Sequence, residues 1–305
     1  MRLAPWKILL AALIPILCAP PAAAQDRPEP EQPVAPAESA PRTAGAPAAD
    51  PPDAETAATE APGASPALEL VVNIPAGRLE VLRGGEVVTG HPVSVGAPKH
   101  PTLMGSYEVS KAVWNPWWHP PKSFWARNEK PARPGPNNPM GRVKLYYEPL
   151  FFIHGTTETG KLGRPASHGC VRMANEDVVP LAMLLHEHAT PAIDRAEIER
   201  IAETRGKTKE IPFERPVPLR IVYELVEVAD GQVVVHPDVY RRGGGREQLA
   251  ERIVEALAAN GVAAESVDRE QVAALADEAR RKGGSRPVEQ LLATSSEAVS
   301  AALGR

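Results

Sequence analysis

The stretch from Phe151 to Asn175, FFIHGTTETGKLGRPASHGCVRMAN, gathers the residues best able to do covalent chemistry: His154, His168 and Cys170 lie within twenty-five positions. A cysteine attacks a carbonyl as its thiolate, and a free thiol has a pKa of about 8.5, so it needs a base close by. Both histidines are candidates, and either pairing predicts a free, partly ionised thiol. His154 ends the apolar run Leu150 to Ile153, which reads as a buried strand, so its imidazole emerges at a strand end where side chains face clefts. Gly155 follows and permits close backbone approach. Ser167, His168, Gly169 and Cys170 form a tight turn leading into Val171 and Met173, and amides in such a turn can point at a developing oxyanion. Nucleophile and oxyanion hole would then share one turn.

The elements that must position these groups begin near Leu68. Short apolar runs broken by Gly77, Gly84, Gly85 and Gly90 predict antiparallel strands and hairpins, with another strand over Ser106 to Val113. Residues 112–141 are too rich in proline and glycine for regular structure and hold Trp114, Trp117, Trp118 and Trp125, which predicts a wall or lid over the cleft. Trp117 and Trp118 are the expected substrate-binding rings. Past the catalytic stretch, Val178, Leu181, Ala182, Leu184 and Leu185 have the spacing of a helix packed on the sheet, capped by Asn175. Thr190 to Ile193 reads as a last strand. His186 and His188 stand two apart and face different ways on that helix, so no metal site is expected.

Beyond Asp194 a charged helical run leads to a strand pair, LRIVYELVEV and QVVVHP, joined at Asp230–Gly231. Amphipathic helices are predicted over Arg246–Asn260, Asp268–Lys282 and Val288–Leu303. The hairpin could extend the catalytic sheet, and the whole of 195–305 reads as an α+β appendage.

The N-terminus has a different character. Arg2 and Lys7 precede an apolar run from Ile8 to Leu17, then Ala22 to Ala24, the pattern of a secretory signal peptide over 1–24. A run of about ten residues is too short for a membrane span, which needs about twenty. Residues 25–66 are alanine, proline and acidic side chains with few large apolar groups, so they read as a disordered linker. The linker carries eight acidic and two basic residues, a local -6 that Arg2 and Lys7 offset to the chain's formal -4, and the near-neutral remainder argues against nucleic acid as a partner. Of the two cysteines, Cys18 leaves with the signal. Cys170 would stand alone in an oxidising compartment where thiols are ordinarily paired, and a solitary thiol there points to chemistry.

Together His154–Gly155 and the run Ser167, His168, Gly169, Cys170, Val171, Arg172 resemble the signature of L,D-transpeptidases with a YkuD-type catalytic domain. The resemblance extends through GAPKHPTLMG (96–105) and PWWHPP (116–121) and covers roughly Leu68 to Ile193. Leu103 stands where the family usually has proline, and Arg172 where asparagine is frequent. The resemblance implies a mainly β catalytic domain over 67–194, a YkuD-like β-sandwich or barrel with a helix packed on it. It implies no cofactor and a thioester mechanism on peptidoglycan stem peptides: Cys170 attacks, His154 takes the thiol proton, and the Gly155 carbonyl orients the imidazole. His168, two residues from the nucleophile, shapes the pocket, and the amides near His168, Gly169 and Cys170 bind the oxyanion. Ser167 and Arg172 are expected to hold the substrate's carboxylates. The acceptor could be a second stem, giving a 3-3 cross-link in cell-wall biogenesis, a protein amine to be anchored, or water, as in an L,D-carboxypeptidase. Carbapenems are the inhibitors the resemblance implies, and a Gram-negative periplasm the location. Sortase-type and papain- or NlpC-like enzymes place histidine and cysteine differently; a non-catalytic wall-binding protein is the alternative of another class.

Overall fold

Alternating apolar residues in the first part of the chain form a run of strands that wraps into a closed barrel. The computed structural model describes residues 67–293; the expected signal peptide, the expected linker and the end of the last predicted helix lie outside the described residues. Strands β1 (Leu68–Asn73), β2 (Arg78–Arg83) and β3 (Glu86–Ser94) form an antiparallel meander. They are followed by β4 (Gly105–Trp114), β5 (Val143–Tyr146), β6 (Phe152–Thr156) and β7 (Val171–Ala174). Helix α1 (Asn175–Ala189) packs across β5 to β7, and α2 (Arg195–Glu203) packs beside it. Strand β8 (Lys209–Val222) closes the barrel in the order β1-β2-β3-β7-β6-β5-β4-β8, with β6–β7 and β8–β1 parallel.

Every barrel strand sends alternate residues inward, including Leu70 and Val72, Val143 and Leu145, Ile153, Val171 and Met173, and Leu219 and Ile221. Helix α1 adds Val178, Leu181 and Leu185 to the same core. Trp114 and His186 belong there too: the indole Nε1 donates to His186 Nε2 at 3.0 Å, and burial pushes the imidazole pKa down to about 4. His186 is thus a neutral core acceptor.

The expected domain boundary at 194 does not hold, because β8 lies between β1 and β4. The hairpin does not extend the barrel: β8 ends at Val222, and β9 (Val226–Ala229), β10 (Gln232–Val235) and β11 (Gly284–Pro287) form a separate three-stranded sheet. Asp230 and Gly231 both take positive φ in the tight β9–β10 turn. With α3 (Arg246–Ala259) and α4 (Arg269–Ala279) this sheet encloses its own core of Val233, Val235, Ile253, Leu257, Leu275 and Leu291. Three local expectations also fail. Residues 190–193 form a turn, Val288–Leu291 is a short 3-10 helix, and Asn175 sits inside α1 with its Oδ1 accepting from the Arg142 amide at 2.8 Å instead of capping. Among the described residues no helix is long and apolar enough to cross a membrane.

Candidate active site

Three neighbouring strands set out the site by register. Lys144 on β5 pairs with His154 on β6, and His154 pairs with Arg172 on β7. Paired residues point to one face of a sheet, and the intervening Leu145, Ile153, Val171 and Met173 point into the core. Lys144, His154 and Arg172 therefore form a row on the outer face, with Cys170, just ahead of β7, diagonal to His154.

His154 is 2% exposed, and its Nδ1 lies 2.9 Å from the Gly155 carbonyl oxygen. A carbonyl can only accept, so Nδ1 carries the proton and Nε2 keeps the lone pair. Burial, reinforced by the charges of Arg172 and Lys144, drives the His154 pKa down to about 3 against the opposing pull of that hydrogen bond. The imidazole is neutral and poised to accept a proton. Gly155 is required as glycine: an added Cβ would lie 2.2 Å from Asn175 Oδ1.

The turn that leads to Cys170 is stapled by Ser167. Its hydroxyl, 1% exposed as a residue, donates to the Cys170 carbonyl at 2.5 Å and accepts from the Gly169 amide at 3.1 Å. This corrects two expectations. Ser167 has no hydroxyl capacity left for a substrate carboxylate, and the Gly169 amide is already taken, which leaves the His168 and Cys170 amides for an oxyanion. Gly169 has φ of +109°, and a Cβ there would meet Phe151 Cε1 at 3.0 Å.

Cys170 is a free, half-buried thiol with Sγ 3.9 Å from the Leu150 carbonyl. Burial pushes its pKa up, and the Phe152 amide and the charges of Lys144 and Arg172 pull it part of the way back. That direction runs against the partly ionised thiol expected. Arg172 donates to Glu158 at 3.2 Å, so part of its guanidinium is paired within the protein.

Sequence reasoning missed Lys144. Its residue is 7% exposed, its Nζ lies 4.6 Å from the Phe152 ring centre, and it donates to the Trp117 carbonyl at 3.4 Å. Burial lowers the lysine pKa, and a charge on Cys170 raises it. The alternation of β5 put this lysine on the site face, but only its pairing with β6 shows the neighbour. The tryptophans are also redistributed. Trp125, in a 3-10 turn of the 115–142 loop, stacks on His168 with ring centres 3.9 Å apart and planes 13° apart. Trp117 stacks on His119, and the Trp118 backbone pairs with Ala132. His168 is exposed and, between Trp125 and His100, shapes the rim instead of meeting the sulfur.

A neutral histidine of fixed tautomer diagonal to a thiol, with free amides in the thiol's own turn, is apparatus for acyl transfer. Residues 68–193 match YkuD, the L,D-transpeptidase catalytic domain. The YkuD match ends before β8, although that strand closes the barrel. The ORF 5 protein from the ATP synthase subunits region of Fuscovulum blasticum is 38% identical over 96 residues, 30% of this chain and 51% of that protein. Probable L,D-transpeptidase YbiS of Escherichia coli K12 is 33% identical over 104 residues, 32% of this chain and 34% of that protein. The chain thus spans between a third and about half of these relatives' length. Among solved structures, the L,D-transpeptidase from Mycobacterium smegmatis superposes with a TM-score of 0.34 at 16% identity, over 52% of this chain and 59% of that one. The catalytic domain of the E. faecium L,D-transpeptidase gives 0.33 at 13% identity, over 52% and 100%.

Proposed function

We propose that this chain is an exported cysteine L,D-transpeptidase acting on tetrapeptide stems of peptidoglycan in the periplasm. The observation that carries the reading is the His154 Nδ1 to Gly155 carbonyl contact, which leaves Nε2 as the base on the face where Cys170 emerges. Cys170 gives its proton to Nε2 as Sγ attacks the carbonyl carbon of the third stem residue. The carbonyl oxygen becomes an oxyanion held by the amides of His168 and Cys170. When it collapses, the bond to the terminal D-alanine breaks, His154 returns the proton to the departing amine, and a thioester remains. An acceptor amine then attacks the thioester, passes a proton to His154, and releases the thiolate, which is reprotonated.

A second stem as acceptor gives a 3-3 cross-link, a protein amine gives wall anchoring, and water gives L,D-carboxypeptidase action. The same thiol should open a carbapenem, whose strained lactam carbonyl needs only the nucleophile and the oxyanion donors. The deciding experiment incubates the mature protein with disaccharide-tetrapeptide and follows products by mass spectrometry. Loss of D-alanine with a dimer product supports transpeptidation, and loss without a dimer supports hydrolysis. No conversion by a folded protein whose Cys170 still alkylates favours the non-catalytic wall-binding alternative.

A further inference from the structure

The C-terminal module reaches the catalytic turn through one phenol. Tyr240, after β10, donates its hydroxyl to the Gly96 carbonyl at 2.7 Å and accepts from the Thr102 amide at 3.0 Å. Thr102 is fully buried; its Oγ1 donates to the Gly169 carbonyl at 2.9 Å and accepts from the Gly96 amide at 2.8 Å. The phenol thus bonds both ends of the 96–102 loop, and that loop bonds the peptide just ahead of the nucleophile. Tyr240 is itself held: its amide donates to the Tyr223 hydroxyl at 2.7 Å, and that hydroxyl donates to Asp238 at 2.6 Å.

The consequence follows from the planar trans peptide. The Gly169 carbonyl and the Cys170 N–H belong to one unit and point in opposite directions. A carbonyl pinned inward on Thr102 turns the Cys170 N–H outward. Ser167 occupies the Gly169 amide, so the aim of the Cys170 amide matters more than in a turn with donors to spare. We propose that Tyr240 is a positioning residue for the oxyanion-binding amide of Cys170, acting through Thr102. This rests on the acyl-transfer reading above, and it makes residues beyond β8 part of the catalytic apparatus.

Two reactions of the same sulfur test it in the full mature chain. Acylation by disaccharide-tetrapeptide develops an oxyanion; alkylation by iodoacetamide displaces iodide and develops none. Tyr240→Phe, which keeps the ring, should lower the acylation kcat roughly tenfold with little change in KM, a smaller loss than removing an oxyanion donor outright. Its alkylation rate should stay within about twofold of wild type, because the thiol and its base are untouched. Thr102→Val should show the same split, Thr102→Ser should restore acylation, and the Tyr240→Phe/Thr102→Val double variant should lose little more than Thr102→Val alone. Equal losses in both reactions, or none in either, would overturn the proposal; a Tyr240→Phe chain that does not fold leaves the Thr102→Val and Thr102→Ser pair to decide it. Wild-type protein that alkylates but is never acylated refutes the acyl-transfer reading itself, and Tyr240's role with it.

Discussion

The Nδ1 nitrogen of His154 lies 2.9 Å from the carbonyl oxygen of Gly155, its own neighbour in the chain, and this contact settles which ring nitrogen can act as base. Because the pKa of His154 is driven down to about 3, the base stays unprotonated through the range where ordinary histidines titrate, near pH 6.5. The acylation rate should therefore show no acid limb centred near pH 6.5. His154→Gln should reduce acylation by about a hundredfold to ten-thousandfold. An acid limb near that pH in wild type would transfer the base role to the exposed His168.

The sulfur should report its own burial. With the Cys170 pKa raised by desolvation, alkylation by iodoacetamide should still be climbing at an alkalinity where a free thiol, with pKa of about 8.5, has levelled off. The charged groups acting on it are Lys144 from β5 and Arg172 from β7, the latter shared with Glu158. Lys144→Met should move the alkylation profile further to high pH, and Lys144→Arg should largely preserve it. A profile indifferent to Lys144→Met would mean that the lysine does not sense the thiolate.

Ser167 separates a structural role from the substrate-binding one that its sequence position suggested. Ser167→Ala leaves the buried Gly169 amide and Cys170 carbonyl without partners, which should cost about 1–3 kcal/mol of stability. It should also slow acylation through kcat, because the turn loses its staple. A rise in KM alone, with an unchanged denaturation midpoint, would restore Ser167 to the substrate.

What could be read from the sequence was what lies close together along it. The thiol, the candidate base and the turn glycine fall within one short stretch, and the β-rich character of the domain follows from short apolar runs between glycines. Residues 209–218, the first part of β8, escaped because Pro212, Pro216 and Pro218 break the look of a central strand. They are tolerated since β1 pairs only with 219–222, leaving one edge of the earlier part without a ladder. Lys144, Thr102 and Tyr240 escaped for another reason: each acts on a residue brought near by barrel closure or module docking, and residue type alone does not encode that proximity. Ser167 was visible but misassigned, since a serine facing substrate and one folded back on its own turn are spelled the same way.

The joint between barrel and C-terminal module is centred on one carboxylate. Glu227 on β9 accepts from Asn73 of β1 at 2.8 Å and from Arg78 of β2 at 2.9 Å, and His236 Nε2 lies 3.2 Å away without hydrogen-bond alignment. Burial alone would raise this carboxyl's pKa, but His236, Arg78 and Asn73 outweigh it and bring the value down to about 2. A carboxylate with a depressed folded pKa adds stability that is fully present above its ordinary value of about 4.5 and is lost as pH falls from there through about 2. That difference corresponds to up to about 3 kcal/mol at neutral pH. Glu227→Gln should therefore lower the stability measured by urea denaturation near pH 7, and the gap from wild type should close as the pH is brought down toward about 2. Arg78 keeps Glu80 as a partner at 2.8 Å, so the variant should fold. A gap that stays constant with pH would mean that the glutamate acts through packing, and that its charge does not hold the module to the barrel.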